Sequence, residues 1–423
     1  MISIKQNYFK LIGLIFLLAL PILAADKFVD VTKSGAVGDG TTLNTVKIQK
    51  AIDDCSANGG CTLWFPKGVF LSGAIFIKPK VNLFLDEGAV IKGSNDRKDY
   101  PKSMTRIEGH FEEWLPALIN ADGVDGLRIT GSGILDGNGV TFWEDFWNRR
   151  KLNSKTTNLD VERPRLAFIQ NSKNVKISGI KFKDSSFWNL HIYNCQKVLV
   201  ENVRFEVQEG LRAPSSDGID IDSSQNVTVR GCHFRVDDDG VCLKGSKGPF
   251  ALDDKQSKPV EHIRITNCTF ERSHGVLTLG SEATIIRDVV IEKSKVIGQI
   301  PLVRFKLRPD TPQLYENIHF RDITLDSTGA IFEVRPWKQF FDLKGQTPPK
   351  SIVRNITLTN IKGSFGSFGE IQGNLNQTTI GNIKLKNIDV QIKDDKLKIV
   401  DVTNFKLNNV KVNGKPYSLK PGN

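Results

Sequence analysis

Methionine and tyrosine are scarce in this chain, whose 423 residues include only 2 Met and 5 Tyr. Glycine is frequent, at 36 residues, and asparagine and the β-branched residues are plentiful. Such residues favour strands and turns over helices. With 39% hydrophobic and 25% charged residues, the composition is that of a globular protein and not of a disordered one. We therefore expect an all-β protein, built as one large elongated domain or as two ordinary ones.

The C-x-x-C pattern of many zinc sites is also missing, which argues against such a site. Cys55 and Cys61 flank the sequence S-A-N-G-G, a turn that could bring the two thiols together. A disulfide would form there in an oxidising compartment. The other four cysteines recur at positions of a sequence repeat, and we expect them to be small, buried hydrophobic residues. They are Cys195, Cys232, Cys242 and Cys268.

No apolar run in the chain is long enough to favour a transmembrane helix. The apolar segment Leu11–Leu20 follows Lys5 and Lys10 and is followed by Pro21 and the small residues at 24–25. This order is typical of a cleaved secretory signal, which we predict at residues 1–25. We expect residues 26–423 to form a single secreted or periplasmic domain without a membrane anchor.

The chain has no basic run, although its formal net charge is +11. Removal of the signal segment lowers that charge only by Lys5 and Lys10. A basic exported protein without a basic run does not fit a nucleic-acid binder. An acidic polymer is a better partner, since the summed charge would attract it. The alternative is that the charge only keeps the protein soluble. We expect a monomer without a cofactor or a metal.

One segment near the mature N-terminus predicts a helix. In residues 44–55, the apolar residues Ile48, Ala51, Ile52 and Cys55 follow helical spacing. We expect this helix to cap the open end of the following structure. Residues 100–165 depart from the strand pattern around them, and we interpret them as long loops around one strand-like core at 126–139.

A repeat of the form N-V-x-I-x-x-x-x-F dominates the chain after residue 166. Its units begin 23 to 38 residues apart, which indicates one solenoid coil per repeat with occasional loop insertions. Alternating apolar residues and corner Asn and Gly residues make each coil a set of short strands. The pattern predicts a parallel β-helix, and the lack of hairpin turn signals argues against a sandwich. The units start at Asn174, Lys197, Asn226, His262, Asp288, Asn317, Asn355 and Asn382.

Three segments of this repeat carry acid–base groups immediately before a glycine. Aligned on Gly218, Gly240 and Gly275, they place Asp217, Asp239 and His274 in one column, with Asp238 beside it. Stacked strands lie about 4.8 Å apart, so these groups would be close together. Such a set could provide an acid and a base about 6.5–9.5 Å apart, the spacing of inverting glycosidases. The alternatives are ordinary Asp-Gly turns and a Ca²⁺ site at residues 237–239.

One coil further, Arg304 and Lys306 alternate along a strand and point to the same face. An Arg–Lys pair suits an anionic sugar, because Arg binds a carboxylate through two hydrogen bonds and Lys adds a point charge. Taken singly, such a pair more often belongs to a solvated face. Residues 249–261 are interpreted as an inserted loop that borders the cleft.

The motifs S-S-D-G, D-D, S-H-G and R-F-K resemble, in this order, the N-T-D, D-D, G-H-G and R-I-K motifs of the polygalacturonase family, glycoside hydrolase family 28. The resemblance extends over nearly the whole mature chain. It implies a right-handed parallel β-helix that hydrolyses pectin, an acidic cell-wall polysaccharide, with inversion. By the same resemblance Asp238 is the general acid, and Asp217 and Asp239 activate the water. His274 supports the acid, and Arg304 and Lys306 bind the substrate.

Alignment of the preceding coil suggests three further residues at the substrate. Trp188 and His191 could line a sugar subsite, although a buried Trp with a satisfied His is nearly as good an interpretation. Lys244 aligns with Asp222, and the two could instead pair with each other. The long segment at 100–165 favours exo action, because it could wall off one end of the cleft. Two alternatives remain open: β-elimination by a pectate-lyase-type protein, and a β-helix that binds polysaccharide without cleaving it.

Overall fold

A computed structural model describes residues 27–419 of the chain. Within this range lie two α-helices, four short 3-10 turns and 34 strands. The helices are α1, Thr45–Ala57, and α2, Val140–Leu152. The 3-10 turns are Val31–Ser34, Arg97–Asp99, Asn158–Asp160 and Ala251–Asp253.

The strands are short in the first three quarters of the chain and long near its end. They are β1 Phe28–Asp30, β2 Asp39–Leu43, β3 Cys61–Phe65, β4 Gly68–Ser72, β5 Ile75–Ile77, β6 Val81–Leu85, β7 Ala89–Gly93, β8 Ser103–Ile107, β9 His110–Trp114, β10 Ile119–Asp122, β11 Arg128–Gly131, β12 Ile134–Asp136, β13 Ala167–Gln170, β14 Lys173–Ser178, β15 Lys181–Lys183, β16 Leu190–Tyr193, β17 Gln196–Glu201, β18 Arg204–Glu206, β19 Ile219–Asp222, β20 Gln225–Arg230, β21 His233–Arg235, β22 Val241–Lys244, β23 Val260–Thr266, β24 Thr269–Arg272, β25 Leu277–Leu279, β26 Ile285–Glu292, β27 Lys295–Gly298, β28 Val303–Leu307, β29 Leu314–Ser327, β30 Ala330–Pro336, β31 Ser351–Gln372, β32 Thr378–Val400, β33 Val402–Val412 and β34 Lys415–Pro416.

All but two of these strands join one almost entirely parallel sheet that winds through successive coils. Most coils contribute one strand to each of three stacks, and these strands pair with their counterparts one coil away. From β29 onward, long strands such as β29 span more than one stack, and β34 pairs antiparallel with β33. In one stack, for example, Val175 pairs with Val198, which pairs with Val227 and then with Ile263. Pairing of equivalent strands across coils, rather than of neighbours in sequence, defines a parallel β-helix. The predicted fold class is therefore confirmed.

The repeat explains both the interior and the corners of the coils. The closing Phe of four consecutive units forms a stack in the core, with ring centroids 4.7–5.2 Å apart. The first residue of every unit has a left-handed backbone, with φ between 52° and 60°. Asn and Asp tolerate this conformation better than most residues, which is why Asn opens most units.

Helix α1 covers the N-terminal end of the coils, as the apolar spacing predicts. Its residues Ile48, Ala51, Ile52 and Cys55 are buried against the core. Cys55 forms a disulfide with Cys61 at the start of β3. The other four cysteines are free and buried, in agreement with their expected role as small hydrophobic residues.

The prediction of long loops at 100–165 is wrong in part. This segment contains the antiparallel hairpin β8–β9, the helix α2, and three strands, β10 to β12, that belong to the coils. Only Phe142, Trp143 and Phe146 of α2 are buried, and charged residues separate them, so its apolar pattern is weak.

The predicted signal peptide lies outside the described residues. No helix within residues 27–419 has both the length and the apolar character that a membrane crossing needs.

Candidate active site

The candidate site lies on the outer face of one stack, formed by β16, β19, β22, β25, β28 and β30. In this stack Ile219 pairs with Val241, which pairs with Leu277 and then with Val303. The sequence alignment placed Val276 opposite Val241, so its register is wrong by one residue. His274 therefore lies level with Asp238 and not with Asp239. The three-residue column is replaced by an Asp238–His274 pair beside Asp217 and Asp239.

Asp239 is fully buried and surrounded by donors. Its Oδ1 accepts hydrogen bonds from Thr278 Oγ1 at 2.7 Å and Arg304 Nη1 at 2.6 Å. Its Oδ2 accepts one from Lys306 Nζ at 2.7 Å. Burial alone would raise the pKa of Asp239, but the charges of Lys306 and Arg304 outweigh it and hold that pKa far below its usual range. Asp239 is thus a permanent carboxylate.

Asp217 lies in the opposite environment. Its carboxyl group is buried, and its cationic neighbour Lys244 is 3.9 Å away. Burial and the nearby acids Asp238 and Asp220 raise the pKa of Asp217 well above its usual value. Burial and these acids therefore favour the protonated form of Asp217.

The three carboxyl groups are closer together than the sequence suggests. One oxygen each of Asp217, Asp238 and Asp239 lie within 4.8 Å of one another. The expected separation of about 6.5–9.5 Å is not observed for these nearest oxygens. A proton can consequently be shared between neighbouring members of this cluster.

Asp238 is the most accessible of the three. Its side chain is 25% exposed, against 5% for Asp217 and 0% for Asp239. His274 Nδ1 lies 3.3 Å from Asp238 Oδ1. Burial would raise the pKa of Asp238, but the bond and charge of His274 lower it by more. The same hydrogen bond raises the pKa of His274.

The third acid of the D-D-D run, Asp237, has a separate role. Its carboxylate pairs with Arg272 Nε at 3.0 Å and accepts a hydrogen bond from the backbone of Ala213 at 2.8 Å. These contacts fix the loop before Asp217. Asp237 therefore lines the cleft, but its carboxylate is engaged in contacts that hold the loop.

A cleft of about 1040 Å³ opens above the cluster. One wall comes from α2 and includes Trp147, and the other comes from the segment after β30 and includes Trp337. Among the predicted site residues, seven line this cleft: Asp217, Asp238, His274, Trp188, Lys244, Arg304 and Lys306. Trp188 is only 4% exposed and lies under Lys244, whose Nζ is 4.6 Å from the ring centre.

The prediction that His191 lines a sugar subsite is wrong, because His191 is fully buried. Its Nδ1 lies 2.7 Å from Arg165 Nη1, and its Nε2 lies 3.5 Å from Asp222 Oδ2. Burial lowers the pKa of His191 to about 3. His191 is thus a neutral part of the wall behind the cleft.

The pairing of Lys244 with Asp222 is also wrong. Asp222 binds Arg106 of β8, with Nε 3.0 Å from Oδ2. Lys244 Nζ instead lies 3.5 Å from Asp220 and 3.6 Å from Glu282. Residues from the hairpin cover this face, and they divert Asp222 from its partner on the neighbouring strand.

Several cleft residues were not predicted from the sequence. Trp337 lies 4.9 Å from Lys306 Nζ, measured to the ring centre, and contributes an aromatic surface beside the Arg–Lys pair. Trp147 is held by a 2.8 Å hydrogen bond from its indole N–H to the backbone oxygen of Arg212. Trp147 lies in the unusual segment at 100–165, which was a usable signal, whereas Trp337 belongs to no motif.

A parallel β-helix with three carboxyl groups and a cationic pair in an open cleft belongs to the carbohydrate-active β-helix proteins. The family model described as glycosyl hydrolases family 28 matches residues 55–414. The chain therefore belongs to glycosyl hydrolases family 28, and its resemblance to that family is confirmed.

Two relatives of known name are similar over most of this chain. An exo-poly-alpha-D-galacturonosidase of Dickeya chrysanthemi is 27% identical over 400 residues, which cover 81% of this chain and 64% of the relative. The match thus spans slightly less than two thirds of that relative. An exopolygalacturonase of Zea mays is 26% identical over 347 residues, covering 79% of this chain and 76% of the relative.

Among solved structures, an exopolygalacturonase from Thermotoga maritima superimposes with a TM-score of 0.79 at 24% identity. The superposition covers 93% of each chain. This likeness supports the same β-helical fold throughout the described coils.

Proposed function

We propose that this protein hydrolyses the glycosidic bond next to galacturonic acid in pectic polysaccharide, with inversion at the anomeric carbon. The observation that carries the proposal is the cluster of Asp217, Asp238 and the buried Asp239 at a cleft that Arg304 and Lys306 line. Every galacturonate residue carries a carboxylate, which an Arg–Lys pair can bind. The names of the Dickeya and Zea mays relatives support the same substrate class.

We assign the general acid to Asp238, because it is the carboxyl group that reaches furthest into the cleft. In the free cleft the proton rests on Asp217, since the pKa of Asp217 is raised by burial, whereas His274 lowers that of Asp238. Transfer of one proton from Asp217 to Asp238 gives the form that the reaction needs. Asp238 then protonates the leaving oxygen.

Asp217, once ionised, and Asp239 are assigned to the attacking water, from which Asp217 accepts a proton. A covalent route is disfavoured because Asp239 is fully buried and bonded to Thr278, Arg304 and Lys306. That carboxylate cannot leave its three donors to attack a sugar carbon. Retaining enzymes have carboxyl groups about 5–5.5 Å apart, so the configuration of the released sugar distinguishes the inverting route from a covalent one.

We infer exo action from the two walls of the cleft. Helix α2, with Trp147, and the segment containing Trp337 and Phe340 both form walls of the cleft. A chain end fits between such walls more easily than the middle of a polymer. The names of both relatives support chain-end cleavage.

We further propose that residues 26–423 act as one monomeric domain, secreted or periplasmic after removal of the signal peptide. The unbroken stacking of coils from β1 to β34 supports a single domain. The apolar N-terminal segment and the Cys55–Cys61 disulfide support export.

The lyase alternative needs Ca²⁺ on the Asp cluster. Two cations, Arg304 and Lys306, already occupy the oxygens of Asp239, so this donor set is poorly suited to a divalent ion. The alternative of a protein that binds polysaccharide without cleaving it is not favoured either. The neighbouring carboxyl groups of Asp217 and Asp239 have a raised and a lowered pKa, respectively, and such perturbed groups are typical of catalytic sites.

The test is digestion of galacturonate oligomers of defined length, and in parallel of rhamnogalacturonan oligomers, with chromatography of early products. Release of single galacturonate units from one end is expected. A ladder of mixed lengths would overturn exo action, and unsaturated products that disappear with chelator would support the lyase. The D238N variant removes the proposed general acid. D237N is its matched control, because Asp237 is the adjacent acid and is bound by Arg272. No cleavage of any pectic substrate would favour the binder.

A further inference from the structure

Asp220 is a buried carboxyl group that the proposed mechanism does not use. It lies on β19, three residues after Asp217, with its Cα opposite those of His191 and Cys242. It belongs to the outward-facing set of that strand, yet its exposed fraction is 0%. Neither oxygen of Asp220 has a hydrogen-bond partner among residues 27–419.

The surroundings of Asp220 contain little positive charge. Lys244 Nζ is 3.5 Å from its Oδ1, but that ammonium group is shared with Asp217 and Glu282. An oxygen of Asp220 lies within 4.8 Å of one of Asp217. The titratable and charged groups that face it are Asp217 on its own segment, Cys242 and Lys244 on β22, Asp238 and Asp239 before β22, His191 on β16, and Arg165 before β13.

A buried carboxylate without a donor is strongly disfavoured, so the neutral form prevails. Burial raises the pKa of Asp220 to about 7, against the nearby charge of Lys244. Asp222, two residues further along the same strand, is also buried, but it has hydrogen-bond partners and a lowered pKa. Arg106 and His191 bind it, and together they outweigh burial and lower its pKa well below the usual range.

We propose that Asp220 is a positioning residue: in its neutral form it donates a hydrogen bond to the Asp217 carboxylate and thereby lets Asp217 act as the base. This inference rests on the proposed function. A base next to other acids needs a donor, and an oxygen of Asp220 lies within 4.8 Å of one of Asp217.

The proton balance is simple. Asp217 gives its proton to Asp238, and Asp220 keeps its own. The water oxygen bonds to the anomeric carbon while its proton moves to Asp217, and the proton on Asp238 moves to the leaving oxygen. Asp217 is then protonated and Asp238 ionised, as in the free cleft. When Asp220 ionises at higher pH, its negative charge holds the proton on Asp217, and the base is lost.

The activity test compares D220N and D220A by the pH dependence of kcat and KM on a galacturonate oligomer. An Asn amide donates as neutral Asp does, but at every pH. D220N should keep kcat within about threefold at pH 5 and move the alkaline limb upward by about one pH unit or more. D220A should lower kcat by about tenfold or more with little change in KM. An unshifted limb in D220N, or wild-type kcat in D220A, would overturn the proposal.

A second readout does not depend on activity. Since the pKa of Asp220 is raised in the folded state, its contribution to stability is present below the unfolded value and is lost as pH rises towards 7. The melting temperature of D220N relative to wild type should therefore rise between pH 4 and pH 7. D222N is the matched control: the pKa of Asp222 is lowered, so its deficit should stay constant over that range.

These outcomes separate the two proposals. A rising D220N difference on a protein that cleaves no pectic substrate would retain the neutral Asp220 and reject the proposed function. A flat D220N difference on an active protein would reject the neutral Asp220 and leave the function in place.

Discussion

Asp217 and Asp239 both precede a glycine on neighbouring coils, and their environments are opposite. Asp239 has three donors from the following coils and stays ionised. Asp217 lies near the acids Asp238 and Asp220 and shares Lys244 with other acids, and its pKa is raised. The difference shows that in a solenoid the neighbouring coils, and not the local motif, decide the charge of a carboxyl group.

The different surroundings of Asp239 and Asp217 also correspond to different proposed roles in catalysis. In the proposed mechanism, the donor-rich side around Asp239 supplies fixed charge for the attacking water and for a uronate. The acid-rich side around Asp217 and Asp238 supplies the proton that moves during the reaction. Hydrolysis needs both, because a proton must reach the leaving oxygen while a water is deprotonated.

The largest effect is expected for D238N, which removes the proposed general acid, the carboxyl group that receives the proton of Asp217. An amide cannot protonate the leaving oxygen, so kcat should fall by about 10³-fold with KM nearly unchanged. Steady-state kinetics on a galacturonate oligomer measure this. D237N should keep most of the activity, and a D238N protein as active as D237N would refute the acid assignment.

D239N tests the donor-rich side and should affect both activity and stability. It removes the carboxylate that pairs with buried Lys306 and leaves Arg304 with Glu333, which costs about 3–5 kcal/mol of unfolding free energy. We expect kcat to fall by about 10²-fold as well. Denaturant unfolding monitored by tryptophan fluorescence gives the stability. Wild-type stability in D239N would show that the three donors are not strongly coupled to this group.

The H274N substitution removes the hydrogen-bond partner that lowers the pKa of Asp238, and so makes the environment of Asp238 more like that of Asp217. The pKa of Asp238 should then rise, so the acid stays protonated to higher pH. The pKa of His274, in contrast, is raised by its hydrogen bond to Asp238. His274 therefore stabilises the fold fully below the pKa that it has in the unfolded chain. This stabilisation is lost as the pH rises through the pKa of His274 in the folded state. The difference in melting temperature between wild type and H274N should shrink as the pH is raised from 5 to 8. A constant difference would contradict the pairing.

W337A should give the smallest effect of the set. Trp337 lies against Lys306 and lines the cleft, where its ring can stack on a bound sugar. We expect KM to rise by about threefold to tenfold with kcat retained, in line with one cation–π or stacking contact. W337F is the control that keeps an aromatic ring. A fall in kcat alone would place Trp337 in the acid–base machinery instead.

The sequence predicted the fold well, because the repeat encodes it directly: apolar residues point inward, a Phe closes each unit, and Asn takes the left-handed corner. It also named the three clustered carboxyl groups, His274 and the Arg304–Lys306 pair, which the structure brings together. The register error at the third motif arose from aligning glycines. That alignment would have matched Thr278 with the inward Leu243, whereas the true register keeps Leu277 and Leu279 inside.

The other errors concern contacts between segments far apart in the chain. His191 faces outward from its strand but is buried, because Arg106 and Arg165 of the region at 100–165 lie against it and Asp222. Trp337 reaches the cleft from a segment without a motif. No local pattern reports which loop will cover an outward-facing position on a β-helix, so these contacts could not be predicted from one sequence.

The most direct test of the account is proton NMR of the anomeric signals during the first minutes of hydrolysis of a galacturonate oligomer. Inversion by a water held between Asp217 and Asp239 predicts that the newly released anomer has the configuration opposite to that of the bond cleaved, before mutarotation mixes the two. Initial release of the same configuration would contradict it, and would mean that one carboxylate of this close cluster attacks the sugar itself.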